Sequence, residues 1–219
     1  MIVVGLTGSI GMGKSTAARI LRRMGLPLHD ADQAVHCLMG KGGRAVAAVE
    51  AVFPGIVVDG AVDRARLAAR VFEDAAALRR LEGVLHPEVR REARAFVKRQ
   101  ARYGRSLVVL DIPLLFETGG EALCDVVVVV TAPAFVQEAR VLARPEMTRE
   151  RLRAIRAKQM PDMEKRRCAD FVVQTGLSKR DTLRRLGAIV RLLRRRKGRH
   201  RRARARLSGR CRHHPGLRS

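Results

Sequence analysis

The eight residues Gly8-Ser9-Ile10-Gly11-Met12-Gly13-Lys14-Ser15 combine the residue types and spacing of a polyphosphate cradle, G-x-x-x-x-G-K-[ST]. Glycine admits backbone conformations closed to other residues, so successive N–H groups can turn inward and surround phosphate oxygens at a helix N-terminus. The Lys14 ammonium can reach the outer phosphates, the Ser15 hydroxyl can sit on Mg2+, and Thr16 adds a hydroxyl to the first helical turn. Ile2-Val3-Val4-Gly5-Leu6 reads as a buried strand before the loop, and Ala17, Ile20, Leu21 and Met24 keep helical spacing after it. A chance glycine turn has no reason to carry that strand, loop and helix order. The segment is therefore expected to hold a nucleoside triphosphate through Gly8, Gly11, Met12, Gly13, Lys14, Ser15 and Thr16.

Other charged residues fall where such a ligand would meet them. In an open parallel sheet the crevice lies at the C-terminal ends of the strands, and Leu26 to His29 reads as a second strand ending in Asp30-Ala31-Asp32. Either this pair caps the helix Gln33 to Met39, or one carboxylate accepts the proton of an attacking hydroxyl. Leu107-Val108-Val109-Leu110-Asp111 is an apolar strand closed by an acid, the form in which a carboxylate reaches a Mg2+ shell. A helix opened by Pro133 carries Arg140 and Arg144 on one face and stops before Pro145. Thr148 caps a second helix, Arg149 to Lys158, closed by Gln159. Two arginine-bearing helices joined by a Pro-Glu-Met turn suit a lid that excludes water from phosphates. A structural salt-bridging role for either arginine is the alternative.

Length and composition bound the rest. With 219 residues, 47% of them apolar, one α/β domain with an insertion is the natural architecture. No apolar run approaches the roughly 20 residues of a membrane helix, and the longest, Val126 to Val130, reads as the central strand. The chain enters a strand at once, with no charged region ahead of an apolar core, so no secretory signal and a cytoplasmic location are expected. Cys37, Cys124, Cys168 and Cys211 show neither C-x-x-C spacing nor neighbouring histidines, which argues for reduced cysteines outside any zinc site. The net charge is +24, and residues 191–219 hold thirteen Lys or Arg and no acid, which leaves +11 for the preceding residues. A basic body suits an anionic substrate. Residues 194–219 read as a disordered basic tail, whose contact with nucleic acid would be weak and salt-sensitive without stacking aromatics.

The segment between the second and third strands far exceeds a minimal crossover. Helices at 44–52, 64–72, 75–84 and 87–102, interrupted by turns at Pro54-Gly55 and Asp59-Gly60, are expected to form a substrate-binding insertion. Pro87 opens the last of these helices, His86 reads as a capping or packing histidine, and the helix's arginines as a solvated face. Asp170 to Gln174 is a fifth strand, and Ser178 caps a final helix with Leu183, Leu186, Val190 and Leu193 inward. The expected organisation is a core of 1–39, 105–143 and 167–193, an insertion at 40–104 and a lid at 144–166.

Taken in order, Gly5-Leu6-Thr7-Gly8 through Lys14-Ser15-Thr16, Asp30-Ala31-Asp32, Leu85-His86-Pro87, Pro113-Leu114-Leu115-Phe116-Glu117, and Met147-Thr148 with Gln159 resemble the dephospho-coenzyme A kinase family from Ile2 to about Leu193. The resemblance implies a P-loop NTPase fold, with a five-stranded parallel sheet flanked by helices, a helical substrate-binding insertion and an arginine-bearing lid. It implies ATP- and Mg2+-dependent phosphorylation of the ribose 3′-hydroxyl of dephospho-coenzyme A. Asp32 would be the general base, Lys14 would stabilise the transferred group, and Arg140 and Arg144 would act from the lid, with Ser15 and Asp111 near the metal. Ser9 stands where the family commonly has a third glycine, which a small polar residue tolerates if its φ is negative. A nucleoside or nucleoside monophosphate kinase would share the loop, the acid and the lid. A nucleic-acid-binding regulatory NTPase would draw on the basic terminus, and the missing aromatics weigh against it.

Overall fold

The computed structural model describes residues 1–71 and 74–195. The first strand, β1 (Ile2–Thr7), is buried along its whole length, as a strand covered on both faces must be. It lies between β5 (Leu107–Asp111) and β6 (Val126–Thr131), parallel to both, with Leu6 opposite Asp111 and Thr7 opposite Val129. β7 (Phe171–Gln174) runs parallel beside β6, and β2 (Leu28–Asp30) borders β5. The sheet order is β2-β5-β1-β6-β7, the five-stranded arrangement expected of the fold.

The chain divides into two compact units, one of Met1–Leu28 with Arg99 onward, the other of His29–Lys98. In the first, Ala17, Ala18 and Leu21 of α1 (Lys14–Arg23) and Leu186, Val190 and Leu193 of α9 (Lys179–Arg195) join the sheet residues in one core. The Ser178 hydroxyl accepts the Asp181 N–H at the start of α9, as a cap should. Leu183, expected inward, is 47% exposed, and Thr182 occupies the buried position instead because its hydroxyl is satisfied by the Ser178 carbonyl. Arg194 and Arg195 continue α9, so the basic segment begins as helix. The rest of that expected tail lies outside the described residues.

The second unit has its own core around Leu38, Val49, Phe53, Ile56, Leu67, Leu81 and Leu85. It holds α2 (Ala31–Met39), α3 (Val46–Val52), α4 (Arg64–Val71) and the greater part of α5 (Ala75–Arg102). The two helices expected at 75–84 and 87–102 are one, with Pro87 in its interior. Proline costs that helix a hydrogen bond, but Leu81 and Leu85 before it and Ala93 and Phe96 after it are buried, and their packing outweighs the local loss. The Asp59-Gly60 turn, with both φ values positive, joins two short antiparallel strands, β3 (Val57–Val58) and β4 (Ala61–Val62), that the sequence reading treats only as a turn. The Glu50 carboxylate accepts the N–H groups of Gly55, Ile56 and Val57, and these bonds, Gly55 foremost, hold its pKa below the usual range.

Among the described residues no helix is long and apolar enough to cross a membrane. Cys37 and Cys124 are free thiols, and burial pushes the Cys124 pKa up to about 12. Of the cysteines expected to be reduced, Cys211 lies outside the described residues. Because Leu186 is 1% exposed in the core shared by α9 and the sheet, Leu186→Ala should cost about 2–5 kcal/mol. Urea unfolding checks this, and a loss below about 1 kcal/mol would mean that α9 is not packed as described.

Candidate active site

The loop leaving β1 is shaped by side chains it lacks. A Cβ on Gly8 would stand 2.5 Å from Val130 Cγ2 and 2.7 Å from the Val130 carbonyl oxygen, so only glycine lets the chain cross β6 here. Gly11 and Gly13 hold φ of +75° and +83°, and a Cβ on Gly13 would lie 2.8 Å from Thr175 Oγ1. Ser9 lies outside the left-handed region, since the non-glycine residues with positive φ among those described are Asp59 and Glu146. The condition for a serine at that position is met. Its carbonyl accepts the Met12 N–H at 3.1 Å, and the Gly13 carbonyl accepts the N–H groups of Thr16 and Ala17 at the start of α1. The N–H groups of Gly11, Gly13, Lys14 and Ser15 take no part in these main-chain bonds and are available to an anion at the helix N-terminus.

Lys14 and Asp111, 97 residues apart, meet at 2.8 Å. The pairing follows from sheet register, because Asp111 ends β5 next to the end of β1. Asp111 is 3% exposed at its side chain and Lys14 16%, so the ammonium is the more accessible partner. Ser15, in the first turn of α1, is exposed. A hydroxyl and a carboxylate are the hard oxygen donors that Mg2+ takes singly, alongside waters and substrate phosphate oxygens. Among the described residues no group of three or more His, Cys, Asp or Glu forms a closed metal cage.

Arg140, on α6 (Ala134–Leu142), donates to Thr175 Oγ1 at 3.1 Å and to the Thr175 carbonyl at 2.7 Å. The Thr175 hydroxyl lies 2.8 Å from the Met12 carbonyl, to which it donates. Arg140 is thus tied to the phosphate loop through Thr175. Met12 itself is buried, and its Sδ accepts the Ala132 N–H. Arg144 lies past the end of α6, exposed. Thr148 caps α7 (Arg149–Ala157) through the Arg151 N–H, as its position predicts. In the second unit Asp30, not Asp32, is the cap of α2. Its Oδ1 accepts the N–H groups of Asp32 and Gln33, and Asp32 stands exposed in the first turn.

Thr175 and Gln137 are absent from the residues expected at the site, and Gln159 enters there only as a helix end and as part of the family motif with Met147-Thr148. Gln137 and Gln159 both hydrogen-bond Ile10 in the loop. Thr175 had a signal, as a polar residue just past a strand end, whereas nothing in the sequence marks Gln137. Gly13→Ala would place a methyl against Thr175 in a left-handed backbone. It should weaken nucleotide binding about tenfold or more while leaving the fold intact. Titration calorimetry with MgADP checks this, and unchanged affinity would remove Gly13 from the cradle.

The family profile described as dephospho-CoA kinase matches residues 2–180. A Paramagnetospirillum magneticum protein named dephospho-CoA kinase is 66% identical over 76% of this chain and 78% of its own. One of the same name from Mesorhizobium japonicum is 63% identical over 80% of this chain and 88% of its own. Among solved structures, TT1252 from Thermus thermophilus superposes with a TM-score of 0.75 at 38% identity, covering 88% of this chain and 97% of that one. The Campylobacter jejuni dephospho-CoA kinase, at 23% identity and a TM-score of 0.61 over 87% of this chain and 96% of its own, shares the fold. With the profile spanning most of its length and relatives this similar, the chain belongs to the dephospho-CoA kinase family.

Proposed function

We propose that the chain transfers the γ-phosphoryl group of ATP to the ribose 3′-hydroxyl of dephospho-coenzyme A, the last step in making coenzyme A. The observation that carries this reading is the Lys14–Asp111 pair beside a loop with four main-chain N–H groups outside its own bonding, in a chain of this family. Phosphoryl transfer asks little covalent help of a protein, so catalysis rests on positioning and on charge stabilisation. The amides of Gly11, Gly13, Lys14 and Ser15, with the packed loop of Gly8 and Met12, hold the phosphates. The Lys14 ammonium stabilises the group in flight, and Thr16 steadies the first turn beneath it. Ser15 and Asp111 would hold Mg2+, which supplies positive charge at the phosphate oxygens.

Asp32 takes the proton of the attacking hydroxyl. Its exposure supports this role, and so does the fact that Asp30 has taken over the capping bonds. Residues 40–104 bind the coenzyme and 144–166 act as a lid, bringing Arg144 to the phosphates while Arg140 works from its seat on Thr175. A cytoplasmic location and a small-molecule substrate complete the reading.

Labelled ATP offered with dephospho-coenzyme A, AMP, CMP and deoxynucleosides tests the substrate, and preferred labelling of a nucleoside or nucleotide would replace this proposal. Turnover that rises with RNA or DNA would point to a regulatory NTPase instead. Asp32→Asn should lower turnover by about 10²-fold or more with ATP affinity nearly intact. Steady-state kinetics decide this, and unchanged turnover takes Asp32 out of the chemistry.

A further inference from the structure

We infer that Gln137 and Gln159 are positioning residues that aim the phosphate loop by gripping Ile10 on both its main-chain polar groups. This rests on the reading of that loop as the nucleotide cradle. The Ile10 N–H donates to Gln159 Oε1 at 3.1 Å, and the Ile10 carbonyl accepts from Gln137 Nε2 at 2.7 Å. No peptide bond in the described chain is cis. In a trans peptide the carbonyl and the N–H of one planar unit point opposite ways. Holding the Ile10 carbonyl therefore sets the direction of the Gly11 N–H, one of the amides left for phosphate. The preceding unit is held as well, at its N–H by Gln159 and at the Ser9 carbonyl by the Met12 N–H. Two consecutive peptide planes are thus fixed from outside, in a stretch where Gly11 would otherwise leave the backbone free to turn.

Each glutamine is itself held. Gln137 is 3% exposed on α6, and its Oε1 accepts a hydrogen bond from the Arg156 guanidinium of α7. A side-chain amide is the group this place needs, since it must donate to a carbonyl and accept from a guanidinium at once. Gln159 precedes Met160, whose N–H donates to Glu117 Oε1 at 2.9 Å. The Lys165 ammonium on α8 (Asp162–Cys168), fully buried, stands 2.8 Å from that oxygen as an ion pair and not as a directed hydrogen bond. The chain that carries Gln159 is therefore anchored by a buried charge pair.

Three variants test the grip. Gln159→Met removes the acceptor at nearly constant volume. Gln137→Glu keeps the acceptor for Arg156 but loses the donor to Ile10. The double variant combines them. Each single change should raise the MgADP dissociation constant and the KM for ATP about three- to tenfold, the worth of one hydrogen bond. The KM for dephospho-coenzyme A should stay within about twofold, because the effect is confined to the phosphate loop. The double variant should be little worse than the poorer single, since one broken contact already frees the loop. A purely structural role would lower the unfolding temperature and leave MgADP affinity of the folded protein unchanged, and that result overturns the inference. Should Gln137→Glu fail to fold, Gln159→Met alone decides, because that side chain is partly exposed. MgADP binding needs no acceptor substrate, so inactivity of the unaltered protein on dephospho-coenzyme A would count against the function and not against the grip.

Discussion

Main-chain amides can gather around a phosphate only where the backbone is free to bend toward them and is then prevented from bending elsewhere. Gly8, Gly11 and Gly13 supply the first condition, two through left-handed φ and one through contact with Val130 too close for any Cβ. The second comes from neighbours remote in sequence. Thr175 fills the space beside Gly13 and binds the Met12 carbonyl, and Gln137 and Gln159 fasten Ile10. The loop's flexibility is thus spent on one conformation, which lowers the ordering cost of receiving a polyanion.

The parallel sheet turns this local device into a reactive centre. Register between β1 and β5 sets Asp111 level with Leu6, so the carboxylate at one strand end meets the lysine that follows the other. Buried on both faces, the strands cannot slip without exposing polar backbone, and this fixes the 2.8 Å contact more firmly than a surface ion pair could. Arg140 is placed in the same way, by two bonds to Thr175, the residue that follows β7.

Much of this was legible in the chain. Alternation of apolar strands with helical spacing marks all five sheet strands, and Thr148 and Ser178 act as the caps their positions suggest. The misjudged places share a cause, namely tertiary burial that local rules do not see. Pro87 breaks a helix by its own chemistry, yet buried Leu85 and Ala93 on either side hold that helix together. Leu183 looks inward by type, while Thr182 is the residue that faces in. Of the two aspartates left open as cap or base, Asp30 proves to be the cap, a choice that turned on where α2 begins.

The sequence by itself determined the phosphate loop, the strand that feeds it and the acid that closes β5, because each is written in contiguous residues whose conformational limits are intrinsic. The tertiary structure alone decided which distant groups hold that loop still. Gln137, Gln159 and Thr175 lie 127, 149 and 163 residues from the loop groups they bind, and a glutamine's two-sided amide carries no local signature of what it will grip. Such contacts are set by how helices settle on the sheet, through burial summed over the whole core.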